Sequence, residues 1–188
     1  ANTDFALPYN VSDPRDVAAA NRSLAFAFSW FVDPIVFGKY PDEMIKRAGN
    51  RIPSFTPDEY AMVKGSYDYI GVNHYTTSYI KTVDIPATNW SSDMGAIKTN
   101  YNSEGKLIGP PAQSTWLNVY PEGARGVLNW IDQRYNHPLI YMFENGVSVP
   151  KENDIPIADA VHDTFRLNFY KDYISNVLKA ITIDGVNL

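Results

Sequence analysis

Residues 138–146 read Pro138-Leu139-Ile140-Tyr141-Met142-Phe143-Glu144-Asn145-Gly146. The first six residues form a short, wholly apolar run, a pattern that predicts a strand buried on both faces. Helical patterns lie on either side of this run, over about residues 121–135 and 158–182. Strands separated by helices favour a parallel sheet or a barrel, so the fold class is predicted as α/β.

A second strand is predicted over residues 67–75, where aromatic and β-branched residues are frequent. Residues 81–115 contain Pro, Gly, Asn and Ser without periodicity, and they are interpreted as one long loop. Near the start of the chain, residues 5–7 are apolar and extended, as expected of a segment that follows a missing strand.

Helix boundaries are clear in the first third of the chain. Asp13 is a capping residue before Pro14, and the following helix is expected to end at Asp33-Pro34. A short helix is predicted over 41–48. The sequence Thr56-Pro57-Asp58-Glu59 is a capping box, and Gly65 is the natural stop of the helix that it begins.

Two strands are too few for a complete α/β domain, although 188 residues suffice for one core. A two-stranded parallel sheet cannot cover its own edges. An eight-fold barrel usually needs about 250 residues. Residues 1–188 are therefore expected to be a single segment of a larger barrel domain.

Composition excludes several function classes. Net charge is −5 and the 16 basic residues are scattered, which argues against nucleic acid and anionic membranes as partners. There is no membrane-length apolar run and no signal peptide in this segment. The chain lacks cysteine, but it has three N-glycosylation sequons, at Asn10, Asn21 and Asn89. These sequons favour a secreted, extracellular or vacuolar location.

Polar residues follow both predicted strands. Glu144 comes directly after one strand, and Asn73 and Tyr75 end the other. Strand ends carry the catalytic groups of α/β barrels, and a tyrosine hydroxyl and an asparagine amide suit a carboxylate that must stay ionised as a nucleophile. The alternative is that Glu144 caps the next segment while Asn73 and Tyr75 simply end a strand. Strand alternation turns His74 away from the side of Asn73 and Tyr75.

The motifs of the chain resemble glycoside hydrolase family 1, and most of all its plant-like β-glucosidases. Glu144-Asn145-Gly146 resembles the family's nucleophile motif, and Tyr67–Thr76 resembles its sixth strand. The other matching stretches, in family order, are Trp30–Pro34, Gly38–Pro41, Gly49–Thr56, Trp116–Gly123 and Asp184–Asn187. The resemblance implies a partial (β/α)8 TIM barrel, roughly helix 5 to helix 7, lacking strands 1–4 and 8.

The resemblance also implies site roles. Glu144 would attack the anomeric carbon, with Tyr75 hydrogen-bonded to it and Asn73 supporting the site. Trp116 would be the aromatic platform for the aglycone, and its alternative is a core tryptophan. No metal and no cofactor are implied, and none of the three histidines has metal-ligand spacing.

The sequence departs from the family pattern in two ways. Phe143 stands where the family usually has threonine, and strand alternation predicts that its side chain lies on the opposite face from Glu144. The Asn-Glu-Pro motif that supplies the general acid/base is absent. Glu59 and Glu122 begin helices and are not credible substitutes.

The resemblance implies part of a retaining β-glucosidase, which hydrolyses O-linked β-D-glucosides through a covalent glycosyl-enzyme. The partners expected are a β-glucoside and a second chain that supplies the rest of the barrel, without which this chain is expected to be inactive. One alternative is an inactive truncated homologue that acts as an interaction or structural subunit. Another is a sugar-binding module.

Overall fold

Five strands form two small sheets in the computed structural model, which describes all of residues 1–188. The strands are β1 (Phe5–Pro8), β2 (Ile70–Asn73), β3 (Thr77–Thr82), β4 (Ala96–Thr99) and β5 (Ile140–Glu144). Parallel pairing joins β2 to β5 and β1 to β3, and β4 is antiparallel to β3. An isolated parallel bridge between Asn2 and Asn73 brings the start of the chain alongside β2.

Eight α-helices connect and cover these strands. They are α1 (Pro14–Leu24), α2 (Trp30–Phe37), α3 (Asp42–Ala48), α4 (Pro57–Val63), α5 (Trp90–Asp93), α6 (Glu122–Arg134), α7 (Ile157–Ala160) and α8 (Thr164–Thr182). A π-helical turn over Ala25–Ser29 joins α1 to α2, and 3₁₀ turns cover Gly49–Arg51 and Glu152–Asp154. None of the helices combines the length and apolar character needed to cross a membrane.

The predicted caps are confirmed. The Asp13 side chain accepts a hydrogen bond from the backbone of Arg15 at the start of α1. Thr56 and Glu59 form a complete capping box at the start of α4, and Gly65 follows that helix with a φ of +81°.

The predicted end of the first helix at Asp33-Pro34 is wrong. Helix α2 continues through Pro34 to Phe37 and ends at Gly38, whose φ of 75° is left-handed. Asp33 is 3% exposed, and it accepts hydrogen bonds from Arg134 and from the Tyr135 hydroxyl. These buried interactions outweigh the single backbone hydrogen bond that a proline removes.

The interpretation of residues 81–115 as one structureless loop is also wrong. This stretch contains the end of β3, helix α5 and strand β4. Both strands are short, and β3 also pairs with β1, which is distant in sequence. Residues 5–8 form strand β1.

Helices cover only one face of the β2–β5 sheet. On that face Val72 and Ile140 pack with Val127 and Ile131 of α6 and Ala180 of α8 in the largest buried cluster. On the other face Tyr141 is 48% exposed and Phe143 is 59% exposed. The prediction that residues 138–143 are buried on both faces is therefore wrong for this chain.

A β-bulge at Phe143 changes the direction of Glu144. Gly71 lies opposite Tyr141, but the register then shifts and Asn73 lies opposite Glu144 instead of Phe143. Directly opposed residues point to the same face, so Glu144 shares the face of Asn73 and Gly71. The Phe143 ring also lies on this face, over Gly71. The predicted separation of residues 143 and 144 by strand alternation is wrong, because the bulge interrupts the alternation.

Candidate active site

Glu144 and Tyr75 meet at the carboxyl ends of two parallel strands. Glu144 is the last residue of β5, and Tyr75 lies two residues beyond the end of β2. The Tyr75 hydroxyl donates a hydrogen bond to Oε2 of Glu144. This bond raises the pKa of Tyr75 above its usual value, because the neutral phenol is the form that donates to the carboxylate.

Asn73 is fixed beside Glu144 through its backbone. Its N–H donates to the carbonyl of Ala1 at 3.0 Å, and its carbonyl accepts from the N–H of Thr3 at 3.0 Å. The side chain is partly exposed and makes no hydrogen bond within the chain. The amide is therefore free to bind a ligand on the face that carries Glu144.

Asn145 and His74 join the two strand ends. The His74 N–H donates to the carbonyl of Glu144 at 3.0 Å, and Nδ2 of Asn145 donates to the carbonyl of His74 at 2.8 Å. The His74 ring is fully buried on the other side, where Nδ1 lies 3.0 Å from the carbonyl of Thr3. Burial lowers the pKa of His74, so the imidazole is neutral and belongs to the packing rather than to the site.

Tyr173 supports the backbone of Tyr75 from helix α8. Its hydroxyl donates to the carbonyl of Tyr75 at 3.1 Å and accepts from the N–H of Tyr120 at 3.2 Å. The side chain is 1% exposed, and burial raises its pKa to about 12. The sequence gives no signal for these hydrogen bonds, which join residues distant in the chain.

Trp116 lies on a loop that is tied to the end of β2. The Thr76 hydroxyl donates to the carbonyl of Asn118 at 2.7 Å and accepts from the N–H of Asn118 at 3.0 Å. Trp116 is 56% exposed, and its ring meets the Tyr75 ring edge-on with centroids 6.0 Å apart. This exposure does not fit the alternative interpretation of Trp116 as a tryptophan of the hydrophobic core.

The loop after Glu144 is held from helix α8. Arg166 donates to the carbonyl of Val147 at 3.2 Å and forms ion pairs with Glu152 and Asp163. The pair with Asp163 joins residues three apart at the start of the helix, whereas the bond to Val147 joins the helix to the loop. The second contact makes Arg166 an anchor for the segment that follows the carboxylate.

A cavity of about 640 Å³ opens beside Tyr75 and Trp116. Asp4 and Lys98 also line it, and they form an ion pair at 2.8 Å. A separate apolar cavity of about 530 Å³ lies against α2 and the start of β2, and it is lined by none of Tyr75, Trp116 and Glu144. Glu144 lines neither cavity, and the first one borders the candidate site through Tyr75, Trp116 and Gly146.

The site consists of a carboxylate with one phenol donor, a free amide and an exposed indole. A carboxylate held in this way can act as a nucleophile, and an indole face can stack on a flat or sugar-like group. No group of three or more His, Asp or Glu side chains lies close enough together to hold a metal ion.

Comparison with known sequences gives a match over the whole chain. The sequence profile of glycosyl hydrolase family 1 matches residues 1–188. Raucaffricine-O-β-D-glucosidase from Rauvolfia serpentina is 40% identical over 196 residues, which cover 99% of this chain and 35% of that protein. β-Glucosidase 6 from Oryza sativa subsp. japonica is 40% identical over 178 residues, which cover 92% of this chain and 34% of that protein. The chain thus spans about a third of the length of the curated relatives that it matches.

Solved structures show the same relationship. The β-glucosidase from Trichoderma harzianum superposes with a TM-score of 0.95 at 47% identity, covering 99% of this chain and 40% of that one. A β-glucosidase from Humicola insolens in complex with glucose gives 0.95 at 45% identity, covering 99% and 39%. Over its length the chain therefore has the α/β fold of these enzymes, without forming a closed barrel of its own.

Proposed function

This chain belongs to glycosyl hydrolase family 1, and on that premise we propose that it is one segment of a retaining β-glucosidase with Glu144 as the nucleophile. One observation carries the proposal: the carboxylate of Glu144 and the hydroxyl of Tyr75 are joined at the carboxyl ends of two parallel strands. The relatives and the solved structures named above are β-glucosidases, which supports glycosidase chemistry.

In the proposed reaction an Oε atom of Glu144 forms a bond to the anomeric carbon while the bond from that carbon to the aglycone oxygen breaks. The departing oxygen takes a proton from a general acid. Water then attacks the glycosyl-enzyme and gives its proton to the same group, which restores Glu144 as a carboxylate. Tyr75 holds and orients the nucleophile, Asn73 offers an amide to the sugar, and Trp116 stacks on the aglycone.

We place the general acid/base outside these 188 residues. A retaining mechanism needs two carboxyl groups about 5 Å apart. Of the acids near the site, Asp4 is paired with Lys98 and Glu152 with Arg166. The remaining part of the barrel, with strands 1–4 and 8 of the family pattern, would supply the acid/base, either in the same polypeptide or from a second chain.

The proposed substrate is an O-linked β-D-glucoside, and the proposed reaction uses no metal or cofactor. The proposed location is secreted, extracellular or vacuolar, supported by the sequons and by the exposure of Asn89.

A second candidate function is an inactive homologue that serves as an interaction or structural subunit. The exposed aromatic face favours it: Tyr69, Tyr141 and Phe143 are 47%, 48% and 59% exposed. An isolated chain would keep this face available to a partner.

A chimera tests the two candidates. The 188 residues would replace the corresponding segment of the Trichoderma harzianum β-glucosidase, and hydrolysis of 4-nitrophenyl β-D-glucoside would be measured. We expect turnover by this chimera and its loss in Glu144→Gln. Glu104→Gln, in an exposed turn, is the matched control and should retain activity. A folded chimera no more active than its Glu144→Gln variant would contradict the enzymatic proposal and favour the subunit.

A further inference from the structure

Directly beneath Glu144 the sheet carries a layer of aromatic rings. Tyr141 and Phe143 are stacked with centroids 6.0 Å apart, and Tyr69 meets both rings edge-on, at 4.9 Å and 6.0 Å. The three rings share the face on which the bulge places Glu144. In a barrel, side chains on this face pack in layers that support the residues at the carboxyl end.

Phe143 fits into this layer because residue 71 is glycine. A Cβ at position 71 would lie 2.8 Å from Cδ2 of Phe143 and closer still to Cε2. The backbone of Gly71 is not left-handed, so chain conformation does not require glycine there. The close approach comes from the ring, which makes Gly71 and Phe143 a packed pair across β2 and β5.

The same pair flanks the register shift. The shift falls between Val72 and Asn73 on β2, and Phe143 is the residue that it leaves without a partner on β5. A bulged residue redirects its neighbour, and here the neighbour is Glu144. The position of the Phe143 ring is thus coupled by one peptide unit to the direction of the carboxylate.

We propose that Phe143, packed over Gly71, is a positioning residue for Glu144: the ring fills the layer beneath the carboxylate and fixes the bulge that aims it at the substrate. This inference rests on the proposed function. It goes beyond that function because it gives Phe143 a role in orienting the nucleophile and gives Gly71 the role of leaving space for the Phe143 ring.

The test compares the full 188-residue chain in the chimera above with its Gly71→Ala, Phe143→Thr and double variants. The probe is a 2-deoxy-2-fluoro-β-glucoside with a dinitrophenolate leaving group, because its rate of covalent labelling reports attack by Glu144 without help from the acid. A misplacement of about 1 Å costs roughly 100-fold in rate. We therefore expect Gly71→Ala to slow labelling and kcat by roughly 10- to 100-fold, while KM changes by less than about 3-fold.

The double variant should recover much of this loss, because threonine leaves room for the alanine methyl. Phe143→Leu, which keeps an apolar side chain over Gly71, should slow labelling less than Phe143→Thr. This comparison tests the role of the apolar side chain at position 143 without adding a methyl group at position 71. Ile157→Thr is the control, since the Ile157 side chain is 82% exposed on α7 and this variant should label at the wild-type rate. Rates are expressed per folded molecule, using circular dichroism to measure the folded fraction.

The outcomes separate the two proposals. Labelling of the wild-type chimera together with additive effects of Gly71→Ala and Phe143→Thr would overturn the positioning role alone. Faster labelling of Phe143→Thr than of wild type would also overturn it. A folded wild-type chimera that neither labels nor turns over would overturn the proposed function and this inference together.

Discussion

The hydroxyl of Tyr75 donates a hydrogen bond to Oε2 of Glu144, from the end of one strand to the end of its parallel neighbour. A donor of this kind stabilises the carboxylate and fixes its rotamer. The edge-on contact of Tyr75 with Trp116 extends the arrangement to the loop before α6. One phenol therefore connects the proposed nucleophile to the proposed aglycone platform.

Replacement of Tyr75 by phenylalanine should lower kcat of the chimera roughly 10- to 100-fold, since a hydrogen bond to a charged group contributes about 1.5–3 kcal/mol. Tyr101→Phe, at a surface tyrosine that is 52% exposed, is the control and should leave kcat unchanged. Equal activity of the two variants would contradict the role of the phenol.

The raised pKa of Tyr75 gives a second expectation, which concerns pH. The phenol donates only while it is protonated, so its contribution is complete below the usual tyrosine pKa of about 10. That contribution is lost as pH rises through the higher pKa of the folded chain. In a tyrosinate absorbance titration, the step that is missing from Tyr75→Phe should lie above the usual tyrosine pKa. A missing step below pH 10 would exclude the hydrogen bond in solution.

Trp116→Ala should raise KM for aryl glucosides in the chimera, because a flat aromatic group stacked on an aromatic side chain loses roughly 1–3 kcal/mol of binding energy when that side chain is removed, as measured for stacked bases. The rise should be smaller for a methyl glucoside, whose aglycone has no face to stack. Trp90→Ala is the matched control, since Trp90 is 82% exposed on the short helix α5. If the two tryptophan variants have the same KM, Trp116 is not the platform.

Arg134→Met should destabilise the isolated chain by about 3–5 kcal/mol, because it leaves the carboxylate of Asp33 buried without its positively charged partner. The Asp33 side chain is 5% exposed and that of Arg134 25%. Lys39→Met breaks the exposed pair with Asp42 and should cost about 0–1 kcal/mol. Urea denaturation measures both changes, and equal shifts would show that the buried pair contributes no more than the surface pair.

Asp184→Asn should reduce stability at neutral pH but not in strong acid. Hydrogen bonds from Arg125 and Asn129 lower the pKa of Asp184 to about 2. A lowered pKa stabilises the fold above the usual carboxyl pKa, and this contribution is lost as pH falls from about 4 towards 2. The unfolding midpoints of wild type and variant should converge at low pH. Asp68→Asn, at an exposed carboxylate without a hydrogen-bond partner, should show no such convergence.

Local signals in the sequence predicted the elements that depend on neighbouring residues. The Asp13 cap, the Thr56 capping box and the two central strands are of this kind. The position of Glu144 and Tyr75 at strand ends also followed from the order of the strands. The caps and the two strands that flank the candidate site, β2 and β5, are determined by residues close to them in the sequence.

The missed features depend on pairs that are distant in sequence. Strands β3 and β4 are only six and four residues long, and β3 also pairs with β1, more than 60 residues earlier in the chain. The bulge at Phe143 depends on the opposite strand, and the continuation of α2 through Pro34 depends on Arg134. No local sequence pattern predicts the hydrogen bonds that Tyr173 and Thr76 donate.

The π-helical turn over Ala25–Ser29 determines which way the side chains of α2 point around the helix axis. Its last hydrogen bond runs from the Trp30 N–H to the carbonyl of Ala25, five residues back. Deleting one residue there would restore ordinary α-helical spacing but rotate α2 by about 100° about its axis. Asp33 would then leave Arg134. An alignment gap within 25–29 thus identifies relatives in which the Asp33–Arg134 pair cannot form, whatever residues occupy those two positions.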